Sequence, residues 1–271
     1  MEIRFLGNSG LAVPTVGMGT YRTFDVSGAN IEANCTRIVD TALSAGTNLF
    51  DSSPMYGRAE NVLAQAIEGR RQKVLIATKV WSSSVSEGRR QIQRALKWYE
   101  NYVDIYQIHN LVAWREHLPF LEDLRLDGRI KIIGITHFSH FSFRELINVM
   151  RTGRIQQIQI PYNVADTMVE QEVLPLADEL GIGVLVMRPL DQGILVRRGP
   201  GPEKLKPLEN YGVTTWAQAL LKWILSDFRV NCVIPATSKI ERALENARAG
   251  QPPWFDPEVR AYVQKLSAST V

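Results

Sequence analysis

Four side chains in the first half of the chain could share one proton: Asp51, Tyr56, Lys79 and His109. Asp51 ends the run Thr47-Asn48-Leu49-Phe50, and the segment FDSSPMYGRAE places a phenol five residues further on. Ser52, Ser53 and Pro54 suit neither a continued strand nor a long helix, so a turn is expected between them. Lys79 interrupts VLIATKVW, otherwise a buried run, and a lysine there needs a partner or a task. His109 closes YVDIYQIH. A phenol titrating near ~10 is a poor acid at neutral pH. A neighbouring ammonium favours the phenolate and lowers that value, while a carboxylate holds the ammonium in place. A histidine beside them can hydrogen-bond the phenol or a substrate oxygen. Together they make a proton donor aimed at an oxygen that becomes negative, as in carbonyl reduction. No side chain supplies a hydride, so a cofactor must.

Taken singly, each residue has a plainer role: a turn tyrosine, a snorkelling strand-end lysine, a core histidine. The chemistry depends on elements that bring them together. Short apolar runs alternate with amphipathic ones along the whole chain. VPTVGMGTY precedes ANIEANCTRIVDTALSAG, whose apolar Ile31, Cys35, Ile38, Val39, Ala42 and Leu43 form a helical stripe ended by Gly46. TNLF precedes RAENVLAQAIEG, with Gly69 as a C-cap; KVLIATKV precedes SEGRRQIQRALKWYEN, with Ser86 as an N-cap. YVDIYQIH precedes WREHLPFLEDLRLDG, with Pro119 near the helix start. IKIIGIT, IQQIQIP, IGVLVMRPL and VNCVIPAT continue the series, each followed by a helical pattern. Arg197 to Gly212 reads as a loop, either folded over a cofactor or a plain connection.

Eight strand-plus-helix units with doubly apolar strands point to a parallel α/β architecture. The expectation is a (β/α)8 TIM barrel over residues 1–271 as one domain, preceded by an N-terminal β-hairpin turning at Asn8-Ser9-Gly10. In a barrel, sites lie at the C-terminal strand ends. Those ends carry Asp51, Lys79, His109, Thr136-His137, Gln159 and Arg188 in order, with Tyr56 in the loop after the second strand.

Composition excludes several classes. With 31 basic and 28 acidic residues, net charge +3, no footprint for nucleic acid is expected. No stretch approaches ~18 apolar residues and MEIRFLGNSGLAVP has no apolar leader core, so a cytoplasmic protein without a membrane partner is expected. Cys35 and Cys232 lack paired spacing and read as free, packed thiols. His137 and His140 in HFSH lack a third ligand nearby, so no metal site is expected. Tyr21, Phe24, Trp81 and Trp114 are candidates for an aromatic substrate pocket, whereas Trp98, Trp216 and Trp223 suit packing between helices and barrel.

FDSSPMYGRAE, IATKVW, VDIYQIHN, GITHF and VIPATSKIERALEN, in this order along essentially the whole chain, resemble the aldo-keto reductases, in particular a short bacterial-type member. The resemblance implies a tetrad of Asp51, Tyr56 as general acid, Lys79 and His109. It also implies NADPH, with NADH the less favoured cofactor, bound across the barrel mouth without a GxGxxG motif, and none occurs in a strand–turn–helix context. Gly19, Thr20 and Tyr21 match the first cofactor loop. Asp51, Thr136, His137 and Gln159 stand where the nicotinamide is held, though many relatives carry Ser-Asn in place of Thr136-His137. Met187, Arg188, Pro189 and Leu190, with Gln192, Gly193 and Leu195, would lie along the nicotinamide and pyrophosphate. Met187 replaces a common stacking aromatic. Ala236, Thr237, Ser238, Lys239 and Arg242 would take the adenosine 2′-phosphate at a helix N-terminus, with Glu245 and Asn246 at the adenine. The implied protein is a monomer that reduces a small-molecule carbonyl substrate. Two other readings compete: an NADP(H)-binding regulatory or redox-sensing subunit, against which the full tetrad weighs, and a lyase or isomerase using Lys79 as a Schiff base.

Overall fold

The computed structural model describes residues 1–269. An antiparallel hairpin, β1 (Ile3–Phe5) and β2 (Ala12–Pro14), comes first. Then follow β3 (Met18–Gly19), α1 (Ala29–Ser44), β4 (Leu49–Asp51), α2 (Ala59–Ala66), β5 (Leu75–Val80) and α3 (Val85–Trp98). The middle of the chain forms β6 (Val103–Ile108), α4 (Trp114–Leu126), β7 (Ile130–Thr136), α5 (Phe143–Met150), β8 (Gln157–Pro161) and α6 (Val173–Glu179). β9 (Gly183–Met187), α7 (Pro202–Leu205), α8 (Trp216–Leu225), β10 (Cys232–Val233), α9 (Ile240–Arg248) and α10 (Pro257–Ala268) complete it. β3 to β10 form one eight-stranded parallel sheet in sequential order. Parallel bridges from Val16 to Val233 and from Gly19 to Ala236 bring its two edges together, so the sheet is a nearly closed (β/α)8 barrel.

The two-residue period of each strand sorts its side chains between two cores. Outward residues such as Phe50, Ile76, Tyr106, Ile133, Ile158 and Val184 pack under the helices. Inward residues Leu49, Ala77, Ile105, Ile132, Leu185 and Cys232 form a second, smaller core that also takes Leu6, Leu11 and Val13 from the hairpin region. The hairpin therefore stoppers the end of the barrel away from the strand C-termini. Because Asp51, Lys79 and Gln107 lie two or four residues beyond Leu49, Ala77 or Leu75, and Ile105, they too point inward, one layer above this core. Gly134 leaves room there, since a Cβ on it would stand 1.9 Å from Gln157 Oε1.

Several local expectations change. Strand one shrinks to two residues. The α3 N-cap is Ser84, whose Oγ accepts from Glu87 N–H, and not Ser86, because the helix begins two residues earlier than the charged pattern suggests. Pro119 lies inside α4, so the Arg115 carbonyl receives no bond from residue 119. The 197–212 segment is structured as α7 followed by a 3-10 turn over Lys206–Tyr211, ended by Gly212 at φ 71°. Buried Leu208 and the Tyr211 ring, 5.1 Å from that of Phe255, anchor it. Trp216 and Trp223 are buried as packing residues, and both cysteines are buried free thiols. Among the described residues no helix is long and apolar enough to cross a membrane.

Candidate active site

β4 ends on Asp51 and β5 carries Lys79 one residue before its end, both facing inward, both removed from water. Lys79 Nζ donates to both carboxylate oxygens, at 2.7 and 2.8 Å, and to the Ser52 carbonyl at 2.8 Å. Asp51 Oδ2 also accepts from Gln107 Nε2 at 3.1 Å and Gln159 Nε2 at 2.9 Å. One carboxylate thus gathers residues of β5, β6 and β8. Its own backbone carbonyl accepts from Thr20 N–H and Oγ1, at 3.0 and 2.9 Å. Burial lowers the Lys79 pKa, and the Asp51 charge opposes that shift.

The turn after β4 carries Tyr56 over this pair, with Lys79 Nζ 5.4 Å from its ring centre. Tyr21 lies 5.0 Å from Tyr56 ring to ring, and the His109 ring meets Tyr56 edge-on at 5.8 Å. Burial, then the Asp51 carboxylate, then Tyr21 raise the phenol's pKa, against a lowering by Arg188. Against the expectation of a lowered value, the direction is upward; the Lys79 ammonium is bound to Asp51 and Ser52 instead. His109 follows β6, and its Nδ1 lies 2.9 Å from Ser53 Oγ. Burial, then Lys79 and His137, push its pKa down to about 3, so the ring is neutral near pH 7.

The remaining predicted residues occupy defined places. Thr136 Oγ1 accepts from Asn110 N–H and shapes the turn after β6. His137 Nδ1 accepts from Ser139 N–H at 3.0 Å. Met187 ends β9; Arg188 and Gln192 are exposed, whereas Pro189 and Leu195 are buried and Leu190 is half-buried. Arg22 Nη1 donates to Gln192 Oε1 at 3.2 Å, linking the loop after β3 to the segment holding Gly193. Gly19 pairs with Ala236, and Asn34 Nδ2 of α1 donates to the Ser238 carbonyl, so the corner between β10 and α9 abuts β3 and α1. Thr237 Oγ1 accepts from Lys239 N–H as α9 begins, with Arg242 exposed in its first turn and Asn246 buried one turn on. Glu245 gives its backbone carbonyl to Gln218.

Of the aromatic candidates, Tyr21 and Trp81 are exposed. Phe24 is not a pocket residue: it is 0% exposed and belongs to the outer core. It lies in the turn after Tyr21, with its N–H bonded to the Thr20 carbonyl, and an aromatic ring so placed packs against the helices. Trp114 commits its indole N–H to Glu145 of α5, in the helix layer. Three residues escaped the sequence reading. Gln107 had a signal, standing two before His109 on the same strand face. Ser53, in the turn between Asp51 and Tyr56, and Phe138, beside His137, had none beyond those positions.

A parallel barrel thus carries, at the C-terminal ends of its strands, a buried ammonium–carboxylate pair under a phenol and a neutral imidazole. Residues 15–268 match the aldo/keto reductase family, and the chain belongs to it as an NAD(P)H-dependent oxidoreductase. It is 28% identical to L-galactose dehydrogenase of Arabidopsis thaliana, over 92% of this chain and 88% of that protein. It is 29% identical to the NADH-specific methylglyoxal reductase of Escherichia coli (strain K12), over 70% of this chain and 68% of the relative. Among solved structures, the holo form of aldo-keto reductase AKR11C1 from Bacillus halodurans superposes with a TM-score of 0.80 at 27% identity, covering 98% and 96% of the two chains.

Proposed function

We propose that this chain reduces aldehydes or ketones to alcohols, with Tyr56 as proton donor and NADPH as the preferred cofactor. The observation that carries the reading is the fully buried Lys79, bound to both Asp51 oxygens beneath the Tyr56 ring. A buried lysine so held cannot act as a nucleophile without breaking its pair, which disfavours a Schiff-base role.

The cofactor fits the chemistry of the residues at the start of α9. Lys239 and Arg242 are exposed there and have no ion pair among the described residues. Two cations without an ion pair, beside the N–H groups of a nine-residue helix whose first turn also carries Glu241, suit a phosphate monoester. The methylglyoxal reductase relative is NADH-specific by name, so the choice of NADPH rests on these two side chains.

When bound, a reduced nicotinamide supplies a hydride. The chain supplies the rest. Tyr56 holds its proton until an alkoxide, a stronger base than phenolate, develops at the substrate oxygen. The Ser53 hydroxyl lies 2.9 Å from His109 Nδ1, and when it donates to that nitrogen the ring proton sits on Nε2. That proton orients the substrate oxygen.

The test follows NADPH absorbance with an activated aromatic aldehyde, comparing wild type with Tyr56→Phe. The expected result is turnover that falls by about 100-fold or more in the variant while NADPH still binds. NADPH binding without turnover across a broad carbonyl panel would favour the regulatory reading instead.

A further inference from the structure

Arg188 follows β9 directly and has φ 53°, the left-handed region that a residue with a side chain enters only when its surroundings impose it. The surroundings do so here. Its carbonyl accepts from Asn163 Nδ2 at 3.1 Å and from Asp191 N–H at 3.0 Å, and Asn163 is itself fixed by paired backbone bonds with Asp166. The conformation carries the side chain to Phe138, with the guanidinium carbon 4.9 Å from the ring centre. Phe138 in turn stacks on His137 at 5.4 Å with an interplanar angle of 12°. His137 is close enough to His109 to depress its pKa, and Arg188 close enough to Tyr56 to oppose the rise of its phenol. A cation, an exposed aromatic ring and the proton donor therefore share one mouth.

The guanidinium is exposed and forms no ion pair and no side-chain hydrogen bond among the described residues. Its charge and its planar fork of donors are free for a ligand, and the group that matches them is a carboxylate. We propose that Arg188 determines specificity by binding the carboxylate of an anionic carbonyl substrate, so that aldehydes and ketones carrying a carboxylate are preferred to neutral ones of similar size. The cofactor's pyrophosphate is the other anion within range. The sheet order separates Arg188 from the corner proposed for the 2′-phosphate, since Lys239 and Arg242 follow β10 on one side of β9 whereas Arg188 leans to the other side, across β8 to the residue beyond β7. The NADPH Kd of the variants tells the pyrophosphate from a substrate carboxylate. The proposal rests on the reductase reading.

The test compares 4-carboxybenzaldehyde with its neutral methyl ester as substrates of wild type and of Arg188→Met, and measures the NADPH Kd of both proteins. Expected is a wild-type kcat/KM ratio, acid over ester, on the order of 10 or more. It arises mainly in KM, falls toward one in Arg188→Met and is partly restored in Arg188→Lys. A wild-type ratio near one overturns the proposal. So does a ratio that survives the substitution, whether through equal loss on both substrates or with a weakened NADPH Kd. Binding of benzoate and benzamide to the NADP+-loaded protein, read by tryptophan fluorescence, separates this from failure of the reductase reading. If neither aldehyde turns over but benzoate binds about tenfold better than benzamide only when Arg188 is present, the anion site stands alone. Equal binding removes it.

Discussion

Lys79 Nζ touches both oxygens of Asp51, and neither side chain reaches solvent. Two ions taken from water stabilise one another only while both are present. Asp51→Asn is accordingly expected to lower stability by about 3–5 kcal/mol. The double variant Asp51→Asn/Lys79→Met should recover part of that loss in urea titrations. Strictly additive losses would mean that the pair is not coupled.

Glu60 lies buried in α2, accepts from the Thr78 hydroxyl, and has its pKa pushed up to about 7 by burial, against Thr78, Arg94 and Lys79. A carboxyl raised above its unfolded value favours folding most at low pH, and that contribution fades as pH rises from about 4.5 to about 7. Glu60→Gln keeps an acceptor for Thr78 without a charge. It should therefore be roughly 3 kcal/mol more favourable to stability at pH 8 than at pH 4. Thermal melts at the two pH values test this, and an equal effect at both would remove the argument.

The high phenol pKa of Tyr56 and the His109 pKa of about 3 predict a flat pH profile for the carbonyl-reduction step. Neither group should titrate between about pH 5 and 9. Single-turnover rates across that range give the measurement. A basic limb near pH 8 that disappears in Tyr56→Phe would show that the phenol is acidified after all.

Removing Arg242 or Lys239 as alanine should weaken NADPH binding by about 10- to 100-fold, the loss expected of a charge-assisted phosphate contact. NADH binding should change little. Equal losses for both cofactors would place these cations against some other part of the molecule.

Much of the barrel was legible because its signals are local. A β-strand alternates with period two and a helix with period three or four, so β5, β6 and the helix between them can be read from neighbouring residues. The inward direction of Asp51 and Lys79 follows from the same alternation. Signals that depend on a boundary were weaker: Ser84 and Ser86 both offer a hydroxyl to α3, and only the geometry of the first turn selects Ser84. Phe24 was misassigned because burial depends on what packs above a turn, which no local pattern records.

The sequence by itself determined the strand–helix alternation, the residue types at each strand end, and hence the material for a proton-transfer site at one end of a barrel. Only the tertiary structure decided how that material is shared. It brings Gln107 and Gln159 onto Asp51 from strands 56 and 108 residues away, binds the Lys79 ammonium there, and raises the Tyr56 phenol's pKa by burial, with Arg188 as the cation that opposes the rise. Cross-strand register and burial set these outcomes, and both arise from contacts between residues far apart in the chain, where local periodicity carries no information.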